Sequence, residues 1–112
     1  MRYKVIYEYL LIYSYIMKLS ELIAIQLAEL FSSLSDTSRV RIIGLLLEGE
    51  MSVSALAKVL SMTESAVSHQ LRGLRHMHLL RTRKSGRQVF YSLADDHVSR
   101  LFSLGLEHVQ HG

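Results

Sequence analysis

A mainly helical fold carrying one small β-hairpin is what this sequence predicts, and three observations predict it. From Ser20 onward, apolar residues recur at three- and four-residue steps, the period of helices with one buried face. No Pro and only six Gly occur in 112 residues, and 49% of the residues are hydrophobic, which suits a compact helical chain rather than a disordered one. Two short runs, Leu79 to Lys84 and Gln88 to Leu93, are rich in Val, Phe, Tyr, Leu and Thr and flank Ser85-Gly86-Arg87, the pattern of a hairpin with Gly at its turn. A chain of this length builds one core and is small for an enzyme with a deep cleft.

The first segment is unusual. Residues 2 to 17 hold five of the six Tyr, with apolar residues at almost every other position. A membrane-spanning helix needs about 20 predominantly apolar residues, and Glu8 and the tyrosines argue against a span. No small-residue cleavage site follows, so the segment does not read as a signal peptide. Residues 1–17 are therefore an extension that packs as an extra helix or strand on the body or on a partner chain. The other reading is a start placed too early, with Met17 opening the conventional sequence. Residues 18–112 read as a single domain.

Within that domain the helix signals are regular. Ser20 caps a helix with Leu22, Ile23, Leu27, Leu30 and Leu34 on one stripe. Asp36 caps the next, with Val40, Ile43, Leu46 and Leu47 inward, and Gly49 supplies the left-handed residue that stops it. Ser52 or Ser54 opens a short helix through Leu60, with Leu56, Val59 and Leu60 apolar. After Ser61-Met62-Thr63, Thr63 caps a longer helix, about 63–76, whose buried stripe is Val67, Leu71 and Leu74. A short helix, a three-residue turn and a second helix that begins with small polar residues make a helix-turn-helix.

The outer face of that second helix carries Glu64, Ser65, Ser68, His69, Arg72 and Arg75. Entering a major groove N-terminus first, it would bring Ser65, Ser68 and His69 toward base edges and Arg72 and Arg75 toward phosphates, with the cap residue Thr63 also at the DNA. Exposed Ser and Arg are also everyday solubilising residues, so the surroundings matter. The net charge is +3, yet no acidic residue lies between Glu64 and Asp95, while Arg72, Arg75, Arg81, Arg83, Lys84 and Arg87 all do. That is an electrostatic footprint for phosphate. The hairpin at about 79–93 follows with Arg83, Lys84 and Arg87 crowding its tip, as a wing that straddles the DNA backbone or enters the minor groove would have them. The fold expected is a winged helix-turn-helix, dimeric through its N- and C-terminal helices, with double-stranded DNA as partner and no membrane.

The C-terminal segment, about 95–110, reads as one more helix with Asp95 and His97 at its start and His108 and His111 at its end. His97 and His108 lie roughly 16 Å apart along such a helix but face the same way. One ion cannot bridge them within a chain. A second copy packed antiparallel brings the Asp95/His97 end of one helix to the His108/His111 end of the other, twice over. Three imidazoles and a carboxylate suit four-coordinate zinc or cobalt. Taken singly, Asp95 or Asp96 is an ordinary N-cap and a His in a last turn is an ordinary surface residue. It is the joint pattern that points to a metal. The absence of Cys removes disulfides, thiolate catalysis and every thiolate metal site.

The stretch SALAKVLSMTESAVSHQLRGLRHMHLLRTRKSGRQVFYSL, within Glu50 to Leu93, closely resembles the ArsR/SmtB family of bacterial and archaeal metal-responsive repressors, with AVSHQLRGLR and GRQVFYSL as the specific signatures. The resemblance covers nearly everything from Ser20 onward. It implies a cytoplasmic homodimer that binds operator DNA without metal and releases it when metal binds. Where some members carry a cysteine pair, this chain has Ser52-Val53-Ser54, so that site is expected to be absent and arsenite, cadmium and lead sensing with it. Asp95, His97, His108 and His111 match the pattern of members that use the C-terminal helix, and His at the last position resembles the branch sensing Zn(II) and Co(II). Ni(II), which prefers six ligands, would have to recruit residues from the N-terminal extension. The other ring N–H of a ligating His108 is expected to donate to a carbonyl near His78 or Leu79, at the end of the recognition helix.

Three other readings stand beside this one. A winged-helix regulator that ignores metal would use the four polar residues as caps and surface groups. A hydrolytic metalloenzyme would need an open coordination position and a general base, for which only Glu107 is near in sequence. A dimerisation module would turn its basic face to protein or membrane.

Overall fold

The computed structural model describes residues 2–16 and 19–112. The elements are α1 (Arg2–Ile16), α2 (Glu21–Ser33), α3 (Thr37–Leu46), β1 (Met51–Ser52), α4 (Val53–Leu60), α5 (Glu64–His76), β2 (Leu80–Ser85), β3 (Gln88–Leu93) and α6 (Asp96–His111). They fall into two compact units, Met1–Ser32 and Ser33–Gly112.

The first unit holds α1 and most of α2. Ser20 caps α2, its hydroxyl accepting the Ile23 N–H at 3.2 Å. No residue of α2 is buried, and its apolar residues Leu22, Ile23, Ile25, Leu27 and Phe31 are all exposed, Leu22 at 63%. Of the expected amphipathic stripe, Leu22, Ile23 and Leu27 are exposed, while Leu30 and Leu34 are half-buried. On α1, Tyr9 and Tyr13 stack with ring centroids 6.4 Å apart, as residues four apart on a helix can. No helix among the described residues is long and apolar enough to cross a membrane.

In the second unit the helical periodicity becomes a core. Ile42, Ile43 and Leu46 of α3 meet Leu56, Ala57 and Leu60 of α4 and Val67, Leu71 and Leu74 of α5, with Leu79, Leu80 and Tyr91 of the wing closing one side. Asp36, Ser52 and Thr63 are the N-caps of α3, α4 and α5, and each side chain accepts the N–H three residues on. The α3 stripe differs from the sequence expectation. Ile42 is fully buried and Val40 is 39% exposed, because a face centred on Ile42, Ile43 and Leu46 puts Val40 on its far flank at about 100° per residue. Val59 likewise points outward. Gly49 follows α3 as expected, but at φ +141° rather than in the left-handed helical region, and the helix itself closes at Leu47 in ordinary right-handed geometry.

The wing is a three-stranded antiparallel sheet in the order β1-β3-β2. Leu80 pairs with Leu93 and Ser85 with Gln88, around a turn with Gly86 at φ +62°. The third strand, β1, pairs Met51 with Tyr91 and Ser52 with Phe90. Two residues show no alternation, so β1 has no signal in the sequence. Gly44 leaves room for the Phe102 ring of α6, whose Cε1 would stand 3.8 Å from a Cβ placed there.

The α5 helix ends in a Schellman closure. The Leu79 N–H reaches the Leu74 carbonyl at 3.1 Å and the His78 N–H reaches that of Arg75 at 2.9 Å, with His78 at φ +60°. A non-glycine residue is strained in that region by about 1–2 kcal/mol. His78→Gly is therefore expected to stabilise the protein by about 1 kcal/mol, less the entropy that glycine adds to the unfolded chain. Urea unfolding checks this, and a lowered midpoint would show that the imidazole makes contacts worth more than the strain.

Candidate nucleic-acid interface and metal ligands

The position of α5 follows from its buried stripe. With Val67, Leu71 and Leu74 fully buried, the opposite face must point to solvent, and it carries exposed Ser65, His69, Arg72 and Arg75. Thr63 is exposed at the start of the helix, where its hydroxyl accepts the Ala66 N–H at 3.0 Å. As a cap acceptor it keeps its own O–H free to donate. Half-buried Ser68 lines a groove with Ser52, Ser54, Glu64, Arg87, Gln88 and Val89, which joins the start of α5 to the wing tip. At the other end of the helix Arg72 and Arg75 share a shallow depression with His76 and His78.

The wing residues divide into two kinds. Lys84 and Arg87 are exposed at the tip. Arg83 instead forms a fork with Glu50, Nη2 to Oε1 at 2.6 Å and Nε to Oε2 at 3.0 Å, and its guanidinium carbon lies 4.8 Å from the centre of the Phe90 ring. The register explains this. Arg83, Phe90 and Ser52 stand opposite one another across three strands, and Glu50, two residues before Ser52, lies along the same face. The hydrogen bond from Arg83 holds the Glu50 carboxyl below its ordinary range. Sequence reasoning missed Glu50, since the pairing spans 33 residues and depends on β1.

The four candidate ligands all lie on or beside α6. At about 100° per residue, His97, Leu101, Leu104, His108 and His111 fall within one narrow arc, with imidazoles at both ends and leucines between. Leu101 and Leu104 are exposed, Leu104 at 65%. Asp95 is the N-cap, its Oδ1 accepting the Val98 N–H at 3.1 Å, and His97 Nδ1 lies 3.5 Å from the same oxygen. The Val98 N–H is the main reason the Asp95 carboxyl titrates below its usual range, with His97 contributing less. His108 and His111 line a shallow depression with Leu104, Glu107 and Gly112. The chain thus brings Asp95 to His97 and His108 to His111, and it holds the pairs apart. Among the described residues no group of three or more ligands converges. No hydrogen bond joins His108 to the His78 or Leu79 carbonyl among them, and the Leu79 carbonyl accepts the Ala94 N–H at 2.9 Å.

The profile described as "Bacterial regulatory protein, arsR family" matches residues 36–82, from the α3 cap into β2. Regulator NmtR of Mycobacterium tuberculosis is 40% identical over 88 residues, which cover 79% of this chain and 73% of that one. The chain belongs to the ArsR/SmtB family. It is a DNA-binding transcriptional regulator and not an enzyme. The "Transcriptional repressor SmtB homolog" of Synechocystis sp. is 48% identical over 85 residues, 76% of this chain and 64% of that protein, so the regulator spans just under two thirds of that relative. The solution structure of apo-NmtR matches with a TM-score of 0.73 and 38% identity, covering 83% of this chain and 78% of that one. The homodimeric winged helix-turn-helix domain of Mb0332 from Mycobacterium bovis matches with a TM-score of 0.75 and 29% identity, covering 80% and 82%.

Both carboxyls held low, Glu50 and Asp95, contribute stability above the ordinary carboxylate range, and that contribution disappears as pH falls through their folded-state values. Glu50→Gln frees the Arg83 fork. The slope of log affinity for DNA against log salt is expected to steepen by about one phosphate contact in that variant. An unchanged slope with a less stable protein would make Arg83 a strut of the wing rather than a phosphate ligand.

Proposed function

We propose that this regulator is a metal-responsive repressor that binds operator DNA as a cytoplasmic homodimer in its metal-free form and lets go when Zn(II) or Co(II) binds between two α6 helices. The observation that carries the reading is the arc on α6: histidines at both ends, exposed leucines between, and no complete ligand set among the described residues. An antiparallel second copy covers Leu101 and Leu104 and completes two identical sites, each with Asp95 and His97 from one copy and His108 and His111 from the other. A carboxylate and three imidazoles are the donor types zinc and cobalt accept. The uncovered face of α2 gives the N-terminal half of the same dimer contact. The repressor name of the Synechocystis relative and the homodimeric state of the Mb0332 domain agree with this reading.

On the DNA side, Thr63, Ser65, Ser68 and His69 read base edges, Arg72 and Arg75 hold phosphates, and Arg83, Lys84 and Arg87 belong to the wing contact. Two such motifs must sit about one helical turn of DNA apart, so a change in the angle between the subunits weakens contacts on both sides. Metal and operator are then negatively coupled, by about 1–3 kcal/mol or more. His108 passes the signal on through its second ring nitrogen, donating to the carbonyl of His78 at the end of α5. The Leu79 carbonyl already accepts from Ala94, which favours His78.

One observation favours the runner-up, a winged-helix regulator that ignores metal: Asp95 is already employed as the α6 cap. The two readings separate in fluorescence anisotropy with a duplex from the chain's own upstream region, with zinc added and then chelated. Zinc is expected to weaken binding roughly 5- to 150-fold, chelator to restore it, and His97→Ala to abolish the response. Tight binding indifferent to zinc, cobalt and nickel would establish the runner-up. His108→Asn is expected to leave DNA affinity without metal intact and to blunt release, and a variant that still binds zinc and still releases DNA would remove the link through His78.

A further inference from the structure

We infer that Arg39 is the positioning residue that sets how the recognition helix α5 is presented to DNA, by holding Gln70 and the Gly73 notch with a guanidinium that is itself anchored on the Ser33 carbonyl. The inference rests on the DNA-binding reading above and adds to it a residue outside the interface.

Arg39 lies in the first turn of α3, where a positive side chain opposes the helix dipole. Its backbone N–H is used by the Asp36 cap at 3.1 Å. Its guanidinium is turned away toward two other helices. Nε donates to Gln70 Oε1 at 2.8 Å, and Nη1 donates to the Ser33 carbonyl, the last residue of α2, at 3.0 Å. Nη2 occupies the space beside Gly73, where a Cβ would come within 2.8 Å of it and within 3.3 Å of Cζ. A planar fork with fixed donor directions can hold two acceptors and lie flat on a helix at once, which a lysine ammonium cannot.

Gln70 and Gly73 are three apart on α5 and share one flank. That flank lies between the buried stripe of Val67, Leu71 and Leu74 and the DNA-facing residues. The apolar stripe presses α5 against the core but tolerates small rotations about the helix axis, since dispersion and burial are non-directional. A two-point polar grip on the flank does not. Rotation of α5 would carry Ser65, Ser68 and His69 off their base edges while leaving phosphate contacts, which carry no sequence information, largely intact. The clamp therefore acts on discrimination between sequences more than on total affinity.

The experiment compares full-length parent, Arg39→Met and Gly73→Ala, the second of which displaces the fork without removing its charge. Affinities for the upstream duplex and a scrambled duplex are measured across salt concentrations, with thermal midpoints alongside and amide hydrogen exchange along α5. In both variants the preference for the upstream duplex is expected to fall roughly ten-fold, the scale of a charge-assisted hydrogen bond, with an unchanged salt slope. Amides from Leu71 to Leu74 are expected to lose protection relative to those of α3 and α4. Folded variants with an unchanged preference would overturn the clamp. A salt slope shallower by about one in Arg39→Met would make Arg39 a phosphate ligand instead, and uniform loss of protection would make it a general stabiliser. A parent that binds neither duplex overturns the DNA reading, and the exchange profile still decides whether Arg39 holds α5.

Discussion

Burial of one stripe of α5 is the constraint on which the rest of the second unit depends. Val67, Leu71 and Leu74 are wholly removed from solvent, as are Ile42, Ile43 and Leu56 opposite them. Each such side chain contributes about 1.5–3 kcal/mol relative to exposure. Because a helix has only one direction opposite a buried stripe, this burial also decides which residues face outward. The DNA-facing surface is thus a consequence of core packing. Caps at Asp36, Ser52 and Thr63 fix where each helix of the motif begins, so the turn between α4 and α5 has little freedom.

Against this well-buried centre stand two helices with no fully buried residue, α2 and α6. Their exposed leucines, isoleucines and phenylalanine form apolar faces of the kind that mark interaction sites on soluble proteins. On α6 the apolar residues and the histidines share one arc, so the proposed interface and the proposed metal site would be parts of one arrangement. In the proposed dimer, antiparallel pairing is what puts the unlike ends of two α6 helices together. A ligand set divided between subunits makes the ion report on the relation between them, which is what a sensor acting on DNA half-sites requires.

Electrostatics are arranged with similar economy. The basic stretch from Arg72 to Arg87 does not act as a uniform patch, since Arg83 is tied back over Phe90 to Glu50 while Lys84 and Arg87 remain free at the wing tip. Arg39, on α3, uses its charge inside the unit to grip α5 rather than to attract phosphate. Each of these two arginines is paired with a side chain distant in sequence, and only the tertiary structure reveals it.

What the sequence determined by itself is everything governed by local periodicity. Three-residue cap spacing, the 3.6-residue period of the buried stripes, Gly86 at the wing turn and the placing of His97, His108 and His111 on one side of α6 are properties of a helix or hairpin considered alone. The tertiary structure decided what depends on how elements cross. It rotated α3 so that Ile42 rather than Val40 faces the core, recruited Met51 and Ser52 as a third strand, and joined Arg39 to Gln70 and Arg83 to Glu50 across 31 and 33 residues. Those pairings follow from distances between elements, which no repeat within a single element encodes.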